Sequence, residues 1–451
     1  MGLTVPDFDV AIIGAGSGGL ACATALSERG RRVVLFEARG LGGTCVQRGC
    51  VPKKIMHRLA ERAPQAVDEA LGWKHDASTL NFARFAAARD AYVEQAAKSQ
   101  AESLHEAGVE LVTGRAQWVG AGRVRVDDRT FQADEVVLAA GAIPHRPEAI
   151  EGIELASTSE DLLSLQTLPR RWVVLGAGYI GVESASMLAA LGCEVVVATH
   201  GAVLSDFDPA LQSFAADALA SRGVRVLTDV TIEAVAETAH GLRVRLSSEE
   251  ELSCDRVLAA LGRRPSVRGV VASEVDIETD DGGAIVIDPE TFETSVESVY
   301  AIGDIANRRP LTPVARAEGL ALAEYLVTGA RGDVSLRWVP SAIFALPPMG
   351  TVGLTEPEAA ATLDEYTVSA RCFAPLETAG QDEPPHHEKA LVKWVLDGDG
   401  RAVGCHLAGP AAAEVIQAVG WAMRSGLDPR QALQPHLRIH PSTTEELAAL
   451  F

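Results

Sequence analysis

The residues best placed to do redox chemistry lie in Gly42-Gly43-Thr44-Cys45-Val46-Gln47-Arg48-Gly49-Cys50-Val51-Pro52-Lys53-Lys54. In a regular helix the step from Cys45 to Cys50 is a rise of about 7.5 Å, beyond the roughly 4.4 to 6.8 Å that separates the Cα atoms of a disulfide. A bridge between them therefore requires a distorted helix or a loop. Arg48, Lys53 and Lys54 bring positive charge, and with a helix N-terminus nearby they favour a thiolate that exchanges readily. Two buried thiols at a helix start is the competing reading of the same residues.

Upstream, Asp9 to Ile13 reads as a buried parallel strand that runs into Gly14-Ala15-Gly16-Ser17-Gly18-Gly19, then a helix to about Glu28 and a second strand, Val33 to Phe36, ending in Glu37. Strand, glycine-rich turn, helix, strand and terminal acid are the order and span of a dinucleotide-binding unit. Gly14 allows the tight turn, Gly16 lets backbone approach a pyrophosphate, Gly19 lets helix and strand pack closely, and Glu37 is placed to accept from a ribose. The pattern recurs: strand Trp172 to Leu175, turn Gly176-Ala177-Gly178-Tyr179-Ile180-Gly181, a helix to Leu191 and strand Glu194 to Thr199. Two such units imply two nucleotide sites, with hydride passing from a nicotinamide to a second cofactor.

These units must be positioned by the rest of the chain. A helical stretch from Lys54 to about Ala107, broken near Gly72 to Thr79, is followed by short strands including Arg123 to Val126 and Glu135 to Ala139. After the second unit, Arg225 to Leu227, Leu242 to Leu246 and Arg256 to Leu261 read as hairpin-like strands. From Trp338 alternating strands and a helix at Ala411 to Ser425 suggest a separate terminal domain. The acidic, proline-bearing stretch Glu377 to Glu388 reads as a solvated loop, with His386 and His387 on the surface.

The 451 residues carry a formal charge of −21 and no basic run longer than a pair, which argues against a nucleic-acid partner. No apolar stretch reaches the length of a membrane span, and the opening MGLTVPDFDV lacks the basic and apolar regions of a signal peptide, so a cytoplasmic location is expected, with no membrane partner. Seven cysteines are too few for a secreted framework and odd in number. Cys22, Cys193, Cys254, Cys372 and Cys405 read as buried thiols.

A glycine-rich nucleotide turn followed by GGTCxxxGCxPxK resembles the pyridine nucleotide-disulfide oxidoreductases, the flavoenzyme family of glutathione reductase, dihydrolipoamide dehydrogenase and mercuric reductase. Ala301-Ile302-Gly303-Asp304, Leu311-Thr312-Pro313-Val314-Ala315, Gly350-Thr351-Val352-Gly353-Leu354-Thr355 and His440-Pro441-Ser442-Thr443-Thr444-Glu445 match further family motifs in the family's order. The resemblance implies an α/β protein with two Rossmann-like dinucleotide-binding domains, for FAD and NAD(P), and a C-terminal α+β dimerisation domain. It divides the chain into an FAD-binding domain with the redox disulfide (1–146), an NAD(P)-binding domain (147–265), a return to the FAD domain (266–335) and a dimerisation domain (336–451).

It also implies roles. FAD would rest on Gly14, Gly16, Ser17, Gly19, Glu37, Gly43, Thr44, Gly141 and Asp304. NADPH or NADH would rest on Gly176, Gly178 and Gly181, with Tyr179 covering the empty nicotinamide pocket. Lys53 and Glu183 would pair near the flavin's reactive nitrogen. Cys50 would be the thiolate next to the flavin and Cys45 the nucleophile toward a small-molecule disulfide. In the implied homodimer the partner subunit's His440, oriented by Glu445, would protonate the leaving thiolate.

The Cys segment and the Arg438-Ile439-His440-Pro441 ending look more like glutathione reductases than dihydrolipoamide dehydrogenases. Yet the positions where glutathione reductases carry an Arg, a Tyr and an Arg to hold glutathione are here Thr24, Gln100 and Leu320. Losing two guanidiniums removes bidentate partners for a peptide carboxylate. A small disulfide other than glutathione disulfide is therefore expected, such as that of ergothioneine or a glutathione amide. Glutathione reductase proper, dihydrolipoamide dehydrogenase and a metal-ion reductase are the enzyme alternatives; an electron-relay flavoprotein with a vestigial disulfide is the non-enzymatic one. Ala198 to Ser205 has neither the arginine pair of NADPH users nor the acid of NADH users; His200 and Arg263 are the nearest candidates for a 2′-phosphate, and weak coenzyme discrimination is expected.

Overall fold

The computed structural model describes residues 7–63, 79–332, 334–428, 439, 441, 442 and 445. The chain forms two compact units: Met1–Lys53, Ala83–His145 and Gly262–Leu336 make the first, and Lys54–Phe82, Arg146–Leu261 and Arg337–Phe451 the second.

The first unit is built on a seven-stranded sheet. Phe8–Ile13 lies between Val33–Glu37 and Arg129–Leu138, parallel to both, with Glu110–Thr113 outside Val33–Glu37 and Val299–Ala301 parallel to Arg129–Leu138. Arg123–Val126 and Ala116–Trp118 extend the sheet antiparallel. Central strands of a parallel sheet are covered on both faces, and Val10, Ala11, Ile12, Val34, Leu35, Val136 and Val137 are accordingly inaccessible to solvent. One face carries the helix Ser17–Ser27, whose Gly18 and Cys22 meet Gly319 of the helix Thr312–Thr328 so closely that a Cβ on Gly319 would lie 2.3 Å from Gly18 O.

In the second unit a parallel sheet runs Arg225–Leu227, Glu194–Ala198, Arg171–Leu175, Arg256–Ala259. An antiparallel meander of Ile232–Thr238, Gly241–Leu246 and Glu251–Cys254 belongs to the same unit. So does a five-stranded antiparallel sheet in the order Ser341–Ile343, Met349–Gly353, Ala402–Ala408, Ala390–Asp397, Tyr366–Phe373. The amphipathic helix Ala412–Arg424 covers it with Val415, Ile416, Val419 and Met423.

Four sequence expectations are corrected, the first being that Cys372, read as a buried thiol, is exposed. The helix after the cysteines begins at Cys50, not Lys54, and runs to Glu61; a second spans Phe82–Glu106, and residues 64–78 lie outside the described ones. Of the three strands read as hairpin-like, only Gly241–Leu246 is antiparallel; Arg225–Leu227 and Arg256–Ala259 join the nucleotide sheet in parallel, a pairing that strands of three and four residues do not encode locally. The stretch Glu377 to Glu388 is a loop exposed at Glu377, Ala379, Gly380, Asp382 and Glu383, but it is not solvated throughout. Its Thr378 is buried, Gln381 Nε2 donates to Glu388 Oε2, and His387 Nδ1 lies 2.9 Å from Ser221 Oγ. Burial, then Arg222, push the His387 ring down to about 4, which leaves it too weak a base to activate Ser221.

Candidate active site

The first glycine turn is fixed by contact distances. Gly14 has φ +111°, and a Cβ on Gly19 would lie 1.9 Å from Gly14 O, so only glycine lets the helix start at this distance from the strand. A Cβ on Gly16 would meet nothing within 4 Å, which leaves the turn open at the point where a phosphate must approach. Glu37 lies at the end of its strand with Oε2 accepting from Ala15 N at 3.0 Å and Oε1 from Arg39 N and Gly40 N at 2.6 and 2.9 Å. Three backbone donors hold it as an oriented carboxylate beside the turn.

The redox segment is seated directly on that turn. Gly42 N donates to Ala15 O, and a Cβ on Gly43, at φ +56°, would lie 2.9 Å from Gly16 Cα. Gly43–Gln47 is a short helix that stops at Arg48, whose φ of −147° breaks it before the next helix starts at Cys50. This is the distortion that the cysteine spacing demanded. Both cysteines are thiols that hydrogen-bond each other, and Cys50 Sγ lies 3.6 Å from Thr312 Oγ1. The Cys45 hydrogen bond is the main cause that lowers Cys50 to about 6, against burial, with Thr312 and the Lys53 charge assisting. The same bond and burial push Cys45 up. The two thiols are thus shifted in opposite directions, Cys50 down and Cys45 up.

Beside them, burial raises the Asp304 carboxyl while the Arg263 charge opposes it. Its turn is held by Glu318, a buried acid whose Oε2 accepts from Gly303 N at 2.7 Å and whose Oε1 pairs with Arg308 at 3.3 Å. In the second unit, Gly176 has φ +93°, a Cβ on Gly181 would lie 2.1 Å from Gly176 O, and one on Gly178 would meet nothing within 4 Å. Tyr179 stands exposed at this helix start, and buried Glu183 on the same helix accepts from Phe344 N at 2.7 Å through Oε1.

The family model for pyridine nucleotide-disulphide oxidoreductases matches residues 8–319, and that family's dimerisation domain matches residues 339–450. The chain belongs to this family. It is 34% identical to a glutathione reductase of Nostoc sp. (strain PCC 7120 / SAG 25.82 / UTEX 2576), over 98% of this chain and 99% of that protein. It is 35% identical to a glutathione reductase of Burkholderia cepacia, over 98% of each. Among solved structures it resembles the HOCl-induced flavoprotein disulfide reductase RclA from Escherichia coli, with a TM-score of 0.86, 25% identity and coverage of 98% of this chain and 99% of that one.

As a member of this family the protein is an NAD(P)H-dependent flavoprotein disulfide reductase, and the family uses FAD and a nicotinamide coenzyme. The first turn fits FAD: its approach over Gly16 is open, Glu37 is an oriented acceptor, and Asp304 is a partly buried carboxylate on the Gly303 turn. Gly141, at φ +68° with nothing within 4 Å of an added Cβ, and Ser17 at the helix start adjoin the same turn.

The remaining expected site residues fall as follows. Arg263 lies in the first unit, donating to Ala142 O and, at 3.4 Å, to Thr44 Oγ1. His200 is exposed just past the strand Glu194–Ala198. Thr24 is half-buried on the helix Ser17–Ser27, Leu320 is exposed on Thr312–Thr328, and Gln100 reaches the redox segment, its Oε1 lying 2.7 Å from the position of a Cβ on Gly42. Gln100 Oε1 is buried without a hydrogen-bond partner. Glu445 N donates to Ser442 O, and His440 lies outside the described residues.

Sequence reasoning missed Thr312 as a partner of the thiols and Glu318 as the support of the Asp304 turn. A charged residue on an otherwise buried helix face, flanked by Gly319, was the available signal for Glu318. It also missed His57, fully buried two turns beyond Cys50, whose Nε2 lies 3.0 Å from Ala345 O and whose ring meets Phe344 edge-on.

Proposed function

We propose that this family member reduces a low-molecular-weight disulfide other than glutathione disulfide, through Cys45 and Cys50, with electrons from NAD(P)H. The observation that carries the chemistry is the geometry of the pair, with Cys45 on the short helix Gly43–Gln47, Cys50 at the start of the next helix and Cys50 Sγ 3.6 Å from Thr312 Oγ1, beside which the Cys50 thiol is lowered. FAD held on Gly14, Gly16, Gly19, Glu37 and Asp304 would supply the two-electron chemistry that links the coenzyme's hydride to the Cys45–Cys50 disulfide. In the dithiol, Cys50 holds the negative charge and Cys45 the proton. Cys45 passes its proton to the partner subunit's His440, held by Glu445, and its Sγ attacks one sulfur of the substrate; the substrate S–S bond breaks, a mixed disulfide forms, and the first thiolate leaves with the proton that the partner subunit's His440 returns. The Cys50 thiolate then attacks Cys45 Sγ, which closes the Cys45–Cys50 bridge and releases the second thiol. Lys53 stabilises the Cys50 thiolate, and its pairing with Glu183 belongs to this reading.

Gly176, Gly178 and Gly181 would seat the coenzyme, with Tyr179 over the nicotinamide pocket. Neither an arginine pair nor an acid follows the strand Glu194–Ala198, so NADH is accepted alongside NADPH. The four-part division at residues 146, 265 and 335, and a homodimer in which His440 completes the partner's site, complete the proposal.

Thr24 and Leu320 offer no guanidinium for a peptide carboxylate, and this is what supports a thiol poorer in carboxylates, of the ergothioneine or glutathione-amide kind. The relatives favour a second reading, glutathione disulfide itself. Steady-state turnover of a disulfide panel, run with both coenzymes, separates them: glutathione disulfide giving the highest kcat/KM defeats the first reading. A preference for NADPH above about a thousandfold, roughly 4 kcal/mol, defeats the coenzyme reading.

A further inference from the structure

The second unit contains a buried ion cluster that the mechanism does not use. Lys393 Nζ, on the strand Ala390–Asp397, lies 2.8 Å from Asp208 Oδ1 and 2.6 Å from Glu356 Oε2; Asp208 and Lys393 are both almost wholly inaccessible to solvent. Asp208 Oδ1 also accepts from Ala210 N, capping the helix Pro209–Ser221, and Oδ2 accepts from Glu356 N at 3.0 Å. The buried ring of His406 stands 3.6 Å from Asp208 Oδ2, held by Leu354 O and Thr351 Oγ1. Burying so many charged groups is costly unless every one is paired, and replacing them by apolar residues is often no loss to stability. Such a cluster is better explained by what it fixes in place.

Asp208 ends the segment that leaves the strand Glu194–Ala198, where the far end of a dinucleotide on the Gly176 turn would lie. That segment is tied to the turn by Leu204 N, which donates to Ala177 O, and to the neighbouring strand Arg225–Leu227 by Thr199 N, which donates to Leu227 O. Leu204 is fully buried with φ +53°, a left-handed conformation that a branched side chain adopts only where its surroundings over-determine it. Gln212 Nε2 donates to Phe207 O and Ser205 O, anchoring the same stretch to the capped helix. The chain from Ala177 through Leu204 to Asp208 is thus held at one end by the glycine turn and at the other by Lys393.

We infer that Lys393, with Glu356, is a positioning residue for the nicotinamide coenzyme: through Asp208 it fixes residues 199 to 207 against the Gly176–Gly181 turn. The inference rests on the proposal that this turn seats the coenzyme. It is tested on the flavin-loaded enzyme by anaerobic rapid mixing with NADPH and with NADH, taking the coenzyme Kd from saturation of the reduction rate, and by the steady-state KM for the best disulfide. Lys393→Met is expected to raise the coenzyme Kd about tenfold, about 1.4 kcal/mol, while the limiting reduction rate and disulfide KM stay within about twofold; Lys393→Arg is expected to restore most of it. Glu356→Gln, which keeps the Asp208–Lys393 pair and a half-exposed side chain, is expected to give a smaller rise and decides the matter if Lys393→Met fails to fold. An unchanged coenzyme Kd, or a rise in both substrates' constants together, overturns the inference. Gly178→Asp, whose added side chain has free space, separates the two levels: if it leaves the coenzyme Kd unchanged the seat itself is wrong, and if it abolishes binding while the Lys393 and Glu356 variants do not alter it, only the positioning role is wrong.

Discussion

At the first glycine turn a Cβ on the last glycine would lie 1.9 Å from a carbonyl oxygen, and at the second turn 2.1 Å, so the two are built to one plan and tolerate nothing larger. They differ in what surrounds the open middle glycine. Over Gly16 the Gly42-Gly43 segment closes in, Glu37 is held by three backbone N–H groups, and the helix Thr312–Thr328 presses on Gly18. Over Gly178 there is an exposed Tyr179, and past the strand an exposed His200 in place of an acid. Both middle glycines stay approachable, and what differs is the rim, which is more closely packed around the first turn than around the second. The same backbone turn is turned to two uses by its neighbours.

The largest expected effect breaks the symmetry of the turns. Gly19→Val should yield protein without flavin, seen as loss of visible absorbance after purification. Gly181→Val should retain flavin yet lose at least about a hundredfold in the rate of reduction by NAD(P)H, roughly 2.7 kcal/mol. Flavin loss from both would mean that the second turn supports the fold rather than a coenzyme.

Next is the redox pair that only the first turn carries. Cys45→Ala and Cys50→Ala should each abolish disulfide turnover, and only the variant keeping Cys50 should show a long-wavelength thiolate–flavin absorption band. In the wild-type dithiol enzyme the band should be present above pH about 6 and fade below it, because the lowered Cys50 acid loses its proton as pH rises through that value. In Cys45→Ala the midpoint should move upward, since the Cys45 hydrogen bond is the main lowering cause; an unmoved midpoint would transfer that role to Lys53 and Thr312.

Smaller effects test the strand ends. Glu37→Gln weakens a charge-assisted acceptor worth roughly 1.5 to 3 kcal/mol, so flavin affinity should fall about tenfold or more, measured by fluorescence titration of apoprotein. Installing the missing acid by His200→Asp should shift coenzyme preference toward NADH by a few-fold in kcat/KM, with flavin content unchanged. No shift would place the ribose of the coenzyme away from this strand end.

Much of the site was legible because its determinants are local. Glycine spacing, strand-terminal Glu37 and the cysteine pair follow from steric and electronic requirements that act over a few residues. Asp304 and the segment containing Thr312 were visible as motifs, but Thr312 as a thiol partner was not, because its hydroxyl meets Cys50 across 262 positions of sequence. Arg263 is a second long-range case: the pairing of Arg263–Pro265 with Ala142–Pro144 sets its guanidinium at Ala142 O and Thr44 Oγ1, which no local pattern encodes.

The sequence by itself determined the family, both nucleotide turns and the need for a broken helix between Cys45 and Cys50, since each depends on bond geometry and close contact among neighbours. Tertiary structure supplied the groups around the thiolate that the resemblance assigned to Cys50, the Thr312 hydroxyl and the Lys53 charge. It alone paired the short strands Arg225–Leu227 and Arg256–Ala259 in parallel, and it alone gathered Asp208, Glu356, Lys393 and His406 into one buried cluster. A lysine on a strand reads as solvent-facing until the fold places two carboxylates within 3 Å of it and removes the water.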